Sequence, residues 1–207
     1  MLYDVGLIMA RADDERFGFL LSETVGPEAV VAEEALEEGE GLAAAVGALV
    51  VEAPAEDGKT EVRTHDFLRQ LDEGAVVQAI QHAESRTSGE IRVFVTTRQV
   101  ASDEIIDRAT SRFEKLGMCA TQDRNAILLY FAPRSQQFAI IGDKEVYQKF
   151  GPDLWSEIVS MIADKLRAGR VTEAVVSGIS MAGDLLARHF PRRTDDRNEL
   201  PNEIDRE

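Results

Sequence analysis

One cysteine, one tryptophan and no apolar run longer than ten residues set the first limits on this 207-residue chain. A lone Cys119 permits no intramolecular disulfide, so the fold requires no oxidising compartment. The longest apolar run, Leu42 to Val51, covers ten residues, about half of the roughly twenty needed to cross a bilayer, and no transmembrane helix is expected. Met1-Leu2-Tyr3-Asp4 lacks the basic start of a signal peptide, and Asp13-Asp14-Glu15 fall where its apolar stretch should continue. The expectation is a soluble cytoplasmic protein. Basic residues are also scarce, with 23 Lys and Arg against 38 Asp and Glu and a net charge of −15. Such a balance disfavours nucleic acid and anionic membrane as partners.

The charge is unevenly divided. Residues 1–61 hold fifteen acidic and three basic side chains, whereas residues 62–207 hold twenty-three and twenty, so the acidity belongs mostly to the first stretch. From Glu23 to Glu61, thirty-one of thirty-nine residues are Ala, Val, Glu, Asp or Gly, too small or too polar to offset the entropy of ordering them. Residues 1–61 are therefore expected to be an acidic, low-complexity, unstructured leader. They are equally read as upstream sequence translated from a misplaced start, because those five residue types share codons beginning with G. Local helix is plausible over Ala29 to Leu36, and a short strand at Leu49-Val50-Val51.

From Val62 the pattern changes to alternating helical and strand periodicity. Phe67, Leu68, Leu71, Ala75, Val76, Ala79, Ile80 and Ala83 predict one amphipathic helix from Asp66 to about Thr87. Ile91 to Thr97 predicts a strand, and Ser102 a cap for a helix through Ile105, Ala109 and Phe113 that stops at Gly117. Ala126 to Ala132 reads as a buried strand, Pro133 to Gln136 as a turn, and Gln137 to Ile141 as a third strand. A short helix over Lys144 to Phe150 follows, then a helix opened by Pro152 and a last one capped by Thr172 that stops before Pro191. Residues 192–207 are polar and expected to be a disordered tail. The fold class is α/β: a three-layer α/β/α sandwich over residues 62–191, with two parallel strands, an antiparallel hairpin strand and flanking helices.

Right-handed crossover makes the first two strands parallel, and the short turn makes the third antiparallel to the second. One end of the sheet then collects Thr87-Ser88-Gly89-Glu90, Asp123-Arg124-Asn125 and Gly142-Asp143. Their oxygens suit a hard cation such as Ca²⁺ or Mg²⁺, and Arg124 suits a phosphate oxygen. The plainer readings are the stronger ones at this point: Asp143 as a helix cap, Glu90 as a solvent-facing strand start, Asp123 as a turn residue. His65, His82 and His189 are far apart, Cys119 reads as an inert thiol, and neither a nucleophile elbow nor a Gly-rich phosphate loop occurs.

The run Thr87-Ser88-Gly89-Glu90-Ile91-Arg92-Val93, then Phe113 to Gly117, Asp123-Arg124-Asn125 before Ile127-Leu128-Leu129, Ala139-Ile140-Ile141-Gly142-Asp143, Leu154-Trp155, and Leu186 to Pro191 resembles the TPM domain over about residues 66–191. From Val62 onward the chain is similar to a compact soluble bacterial subgroup of that family. The resemblance implies an α/β/α sandwich with a mixed sheet, acid phosphatase activity toward simple phosphate esters, and divalent cations held by acidic residues. Carried over by position, it makes Glu90, Asp123, Asn125 and Asp143 the candidate ligands of Ca²⁺ or Mg²⁺, and Arg124 and Asp143 the candidate catalytic residues. Many relatives carry a signal peptide or a membrane anchor that is not seen here, so thylakoid or receptor roles do not transfer. The alternative function is a non-enzymatic interaction module in protein quality control or complex maintenance. The expected partner is accordingly another protein or a small phosphate ester.

Overall fold

The computed structural model describes residues 5–10, 60–193 and 200–207. Strand β3 (Ile127–Ala132) is apolar at every position and sits at the centre of a five-stranded sheet, buried along its whole length. Alternation sends Ile127, Leu129 and Phe131 to one face and Leu128, Tyr130 and Ala132 to the other, so both faces must be covered by helices. β2 (Ile91–Val95) pairs with it in parallel and β4 (Gln137–Asp143) antiparallel. The expected crossover and hairpin are borne out.

Helices α1 (Thr60–Gln70), α2 (Glu73–Glu84), α4 (Lys144–Arg167) and α5 (Val171–His189) close the larger core on one face. On the other face α3 (Ile105–Lys115) packs Ile105, Ala109 and Phe113 against Phe94, Leu128 and Ile141. Each fully buried Ile, Leu or Phe contributes about 2 kcal/mol of apolar transfer free energy. The result is the three-layer α/β/α sandwich.

Several local expectations are corrected. The single helix predicted from Asp66 is two, because Asp72 is extended (φ −79°, ψ 98°) and its carboxylate accepts the Ala75 amide at 3.0 Å, starting a new helix. Thr172 does not cap its own helix. Its hydroxyl donates to the Gln70 carbonyl and accepts the Asp72 amide, tying the α1–α2 break to α5. Ser102 likewise caps nothing and accepts from Gln137 Nε2 at 3.0 Å; α3 begins at Ile105 behind Glu104, which makes no side-chain cap bond. The short helix over 144–150 and the helix opened at 152 stand as expected: they are the two arms of α4, separated by a kink where Gly151 takes φ 71° and ψ 168°.

The sheet also gains a strand at each edge. β1 (Val5–Ala10) pairs antiparallel with β4, within the stretch expected to be unstructured, because this six-residue apolar run meets a strand edge with ladder groups to offer. The expected helix at 29–36 and strand at 49–51 lie outside the described residues. β5 (Ile204–Arg206) pairs in parallel with β2, so residues 200–207 of the expected disordered tail are an ordered part of the fold. Among the described residues no helix is long and apolar enough to cross a membrane.

Gly142, the residue before Asp143, lies under the indole of Trp155. A Cβ there would stand 2.7 Å from two ring carbons of that buried side chain, which is itself held against Phe150. Gly142→Ala is expected to lower stability by about 1–3 kcal/mol through overpacking, read as a lower urea midpoint with unchanged slope.

Candidate functional site

Register fixes the ligand end of the sheet. Ile91 faces Ile127, which faces Gly142, so Glu90, Ala126 and Asp143 share the next row across three strands. Ala126 is the middle residue of that row, and its carbonyl accepts the Asp143 amide at 2.9 Å. The three segments expected to meet therefore do meet. Their side chains resolve into three separate groups.

The first group is a buried ion pair. Asp143 is 0% exposed, and its carboxylate accepts from Arg124 Nε at 2.7 Å and Arg124 Nη2 at 2.8 Å, a bidentate fork. It also caps α4 by accepting the Lys144 amide at 2.7 Å, where the helix dipole favours negative charge. The plain reading of Asp143 as a cap thus holds alongside its place in the cluster. Arg124 reaches it from a left-handed backbone, φ 50°, uncommon outside glycine.

The second group is a hydrogen-bonded chain. Asn125, 0% exposed, donates from Nδ2 to Ser88 Oγ at 3.1 Å, and Ser88 Oγ donates to Asp123 Oδ2 at 3.3 Å. Arg193 reaches the same Asp123 oxygen at 2.9 Å. Asn125 Oδ1 is buried without a hydrogen-bond partner, an oxygen whose desolvation goes uncompensated.

Glu90 belongs to the third group. It is 3% exposed, contrary to its reading as a solvent-facing strand start, because the chain 87–90 lies under α2 and residues 190–192. With Gln81, Glu84, Thr87, Arg192 and Asn202 it lines a cleft of about 160 Å³. Glu84 accepts the Ile91 amide at 3.0 Å and a bond from Asn202. Burial, and then the charge of Glu90, push the Glu84 carboxyl up from 4.5 to about 7. Sequence reasoning missed Glu84, Asn202 and Arg193. Glu84 carried a signal: an acidic residue in the last turn of a helix opposes the dipole and needs a local partner.

Among the described residues no three His, Cys, Asp or Glu side chains converge as a metal-binding group. Asp143 and Asp123 lie in neighbouring groups, and Glu90 lines the separate cleft. Burial, and then the Asp143 charge, push the Cys119 thiol up to about 11, the direction that disfavours the thiolate.

Two measurements test these groupings. Arg124→Ala is expected to cost about 3 kcal/mol by leaving Asp143 buried and uncompensated, and adding Asp143→Asn should recover part of it in a double-mutant cycle by chemical denaturation. Because the folded-state carboxyl of Glu84 is raised, the folded state binds its proton more tightly than the unfolded chain, and stability falls as pH rises from 4.5 through about 7. Glu84→Gln retains an acceptor for the Ile91 amide and should flatten that dependence by roughly 1–3 kcal/mol between pH 5 and 8.

A comparison with curated proteins gives no match. The structure is similar to the NMR structure of BA42 protein from the psychrophilic bacterium Bizionia argentinensis, with 38% identity and a TM-score of 0.60, covering 65% of this chain and 92% of that one. The TPM domain family model matches residues 62–185, inside which lie Glu90, the Asp123-Arg124-Asn125 loop and Asp143. With the mixed sheet and its order of elements, this match establishes that the chain belongs to the TPM domain family.

Proposed function

We propose that this domain binds a divalent cation, Ca²⁺ or Mg²⁺, at the end of the sheet that carries Asp123, Asn125 and Asp143, with Glu90 in the same strand row as Asp143 but lining the adjacent cleft. The observation that carries the reading is Asn125 Oδ1, a fully buried carbonyl oxygen without a hydrogen-bond partner, on a side chain linked through Ser88 to the Asp123 carboxylate. Hard cations take such neutral and anionic oxygens together. The donor types fit, although Asp143 already has Arg124 as its counter-charge, so cation binding there competes with that pair. When bound, a cation polarises a phosphoryl oxygen. Arg124, once released from Asp143, presents the fork that matches a phosphate oxygen.

Phosphatase activity, carried over from the family, is slow in this reading. Cys119 is protonated, and Ser88 donates to a carboxylate that Arg193 also holds, so neither is an activated nucleophile. The same observation favours a second reading, a cation-stabilised interaction module without turnover. A single cysteine accords with the reducing cytoplasm in either case.

Calcium and magnesium titration calorimetry, paired with p-nitrophenyl phosphate turnover, tests both readings on the wild type, Asp123→Ala and Asp143→Asn. Cation binding that weakens at least about tenfold in either variant supports the site. Turnover lost in parallel assigns the enzyme, and binding without turnover assigns the module. Heats unchanged in both variants reject the site.

A further inference from the structure

The outer edge of β2 carries an arginine tract that nothing above explains. Arg92 is 3% exposed, and its ion partners are Asp205 and, at 3.8 Å, Glu203. Arg112 pairs with Glu207 while its guanidinium lies 4.2 Å from the centre of the Phe94 ring, and Arg98 meets Glu207 at 3.0 Å. All three arginines are thus answered by residues 203–207, in a chain whose net charge is −15.

The segment fits by alternation. Val93, Phe94 and Val95 pair in register with Ile204, Asp205 and Arg206. Strand geometry then sends Glu203, Asp205 and Glu207 toward the arginines on the α3 face, and Ile204 and Arg206 toward α2, where Ile204 packs on the larger core and Arg206 meets Glu73. The Thr97 amide donates to the Glu207 carbonyl at 2.9 Å, and the Glu207 amide to the Val95 carbonyl at 3.3 Å. Removing this segment leaves a buried guanidinium without a carboxylate and a row of open ladder groups. Both are costly, and both are the features by which a strand edge captures a peptide.

We propose that the β2 edge is a receptor site for an extended acidic segment of a partner protein, and that residues 200–207 occupy it in cis as a built-in competitor. The ligand is a strand with carboxylates at alternate positions and an aliphatic residue between them. Affinity comes from the main-chain ladder, and selection for acidic sequences comes from Arg92, Arg98 and Arg112. Tethering gives the cis segment a high effective concentration, so a partner engages only when that segment is out-competed.

The test uses the full chain with a protease site introduced between residues 195 and 198, folded and then cut, and a fluorescein-labelled peptide of residues 200–207 as probe. The nicked chain should exchange its own segment for the labelled one, with a saturable rise in anisotropy. The uncut chain should bind at least about tenfold more weakly. Arg112→Ala in the nicked chain, or salt raised from about 50 to 500 mM, should weaken binding by a similar factor. Equal binding by cut and uncut chains, no binding by the nicked chain, or indifference to Arg112→Ala overturns the proposal. Should nicking abolish cooperative melting, Asp205→Lys/Glu207→Lys in the uncut chain takes its place, and failure of that variant to bind the probe is equally decisive. Sedimentation that shows the uncut wild type pairing through exchanged segments would assign the edge to a second copy and overturn the partner assignment.

Discussion

Burial of β3 on both faces is the constraint from which the rest of the structure follows. Six consecutive residues, none of them charged, pair at both strand edges, and Tyr130 alone among them carries a polar tip. The strand's polar neighbours Asp123, Arg124 and Asn125 fall just before it, at the point where β2 begins and β4 ends. The polar residues gather at that end because β3 itself carries no charged side chain and is covered by helices α2 and α5 on one face and α3 on the other.

Charge is handled by local pairing rather than by the overall field. Asp143 is buried with a bidentate arginine, and Arg92 is buried with carboxylates from the last strand. Such pairs add little net stability compared with apolar packing, yet they make each partner's removal expensive, and so they specify which segments must lie together. One pair locks the Asp123-Arg124-Asn125 loop to the start of α4. The other locks β5 to the β2 edge. The cation reading of the first and the peptide reading of the second rest on the same physics, a counter-charge that a ligand can replace.

The readings that failed were local ones with a long-range competitor. Ser102 and Thr172 have the residue type of helix caps, but Gln137 and the α1–α2 break offer them better-placed partners from distant parts of the chain. Apolar spacing continues through Asp72 and so hides the break there, while a cap bond from the Ala75 amide restarts the helix. Residues 203–207 look like a soluble tail since their carboxylates alternate with only one aliphatic side chain. Their order comes from three arginines that lie far back in the sequence.

The sequence by itself determined the α/β layering, the three central strands and their directions, and the meeting of residues 87–90, 123–125 and 142–143 at one end. Periodicity, strand length and crossover handedness are properties of short stretches of chain and of backbone chirality. Only the tertiary structure decided how those polar residues pair: Asp143 with Arg124, Asn125 with Ser88, Ser88 in turn with Asp123, and Glu90 in a cleft beside Glu84. Side-chain partnership depends on burial and on register between segments up to about a hundred residues apart, and no local pattern encodes it.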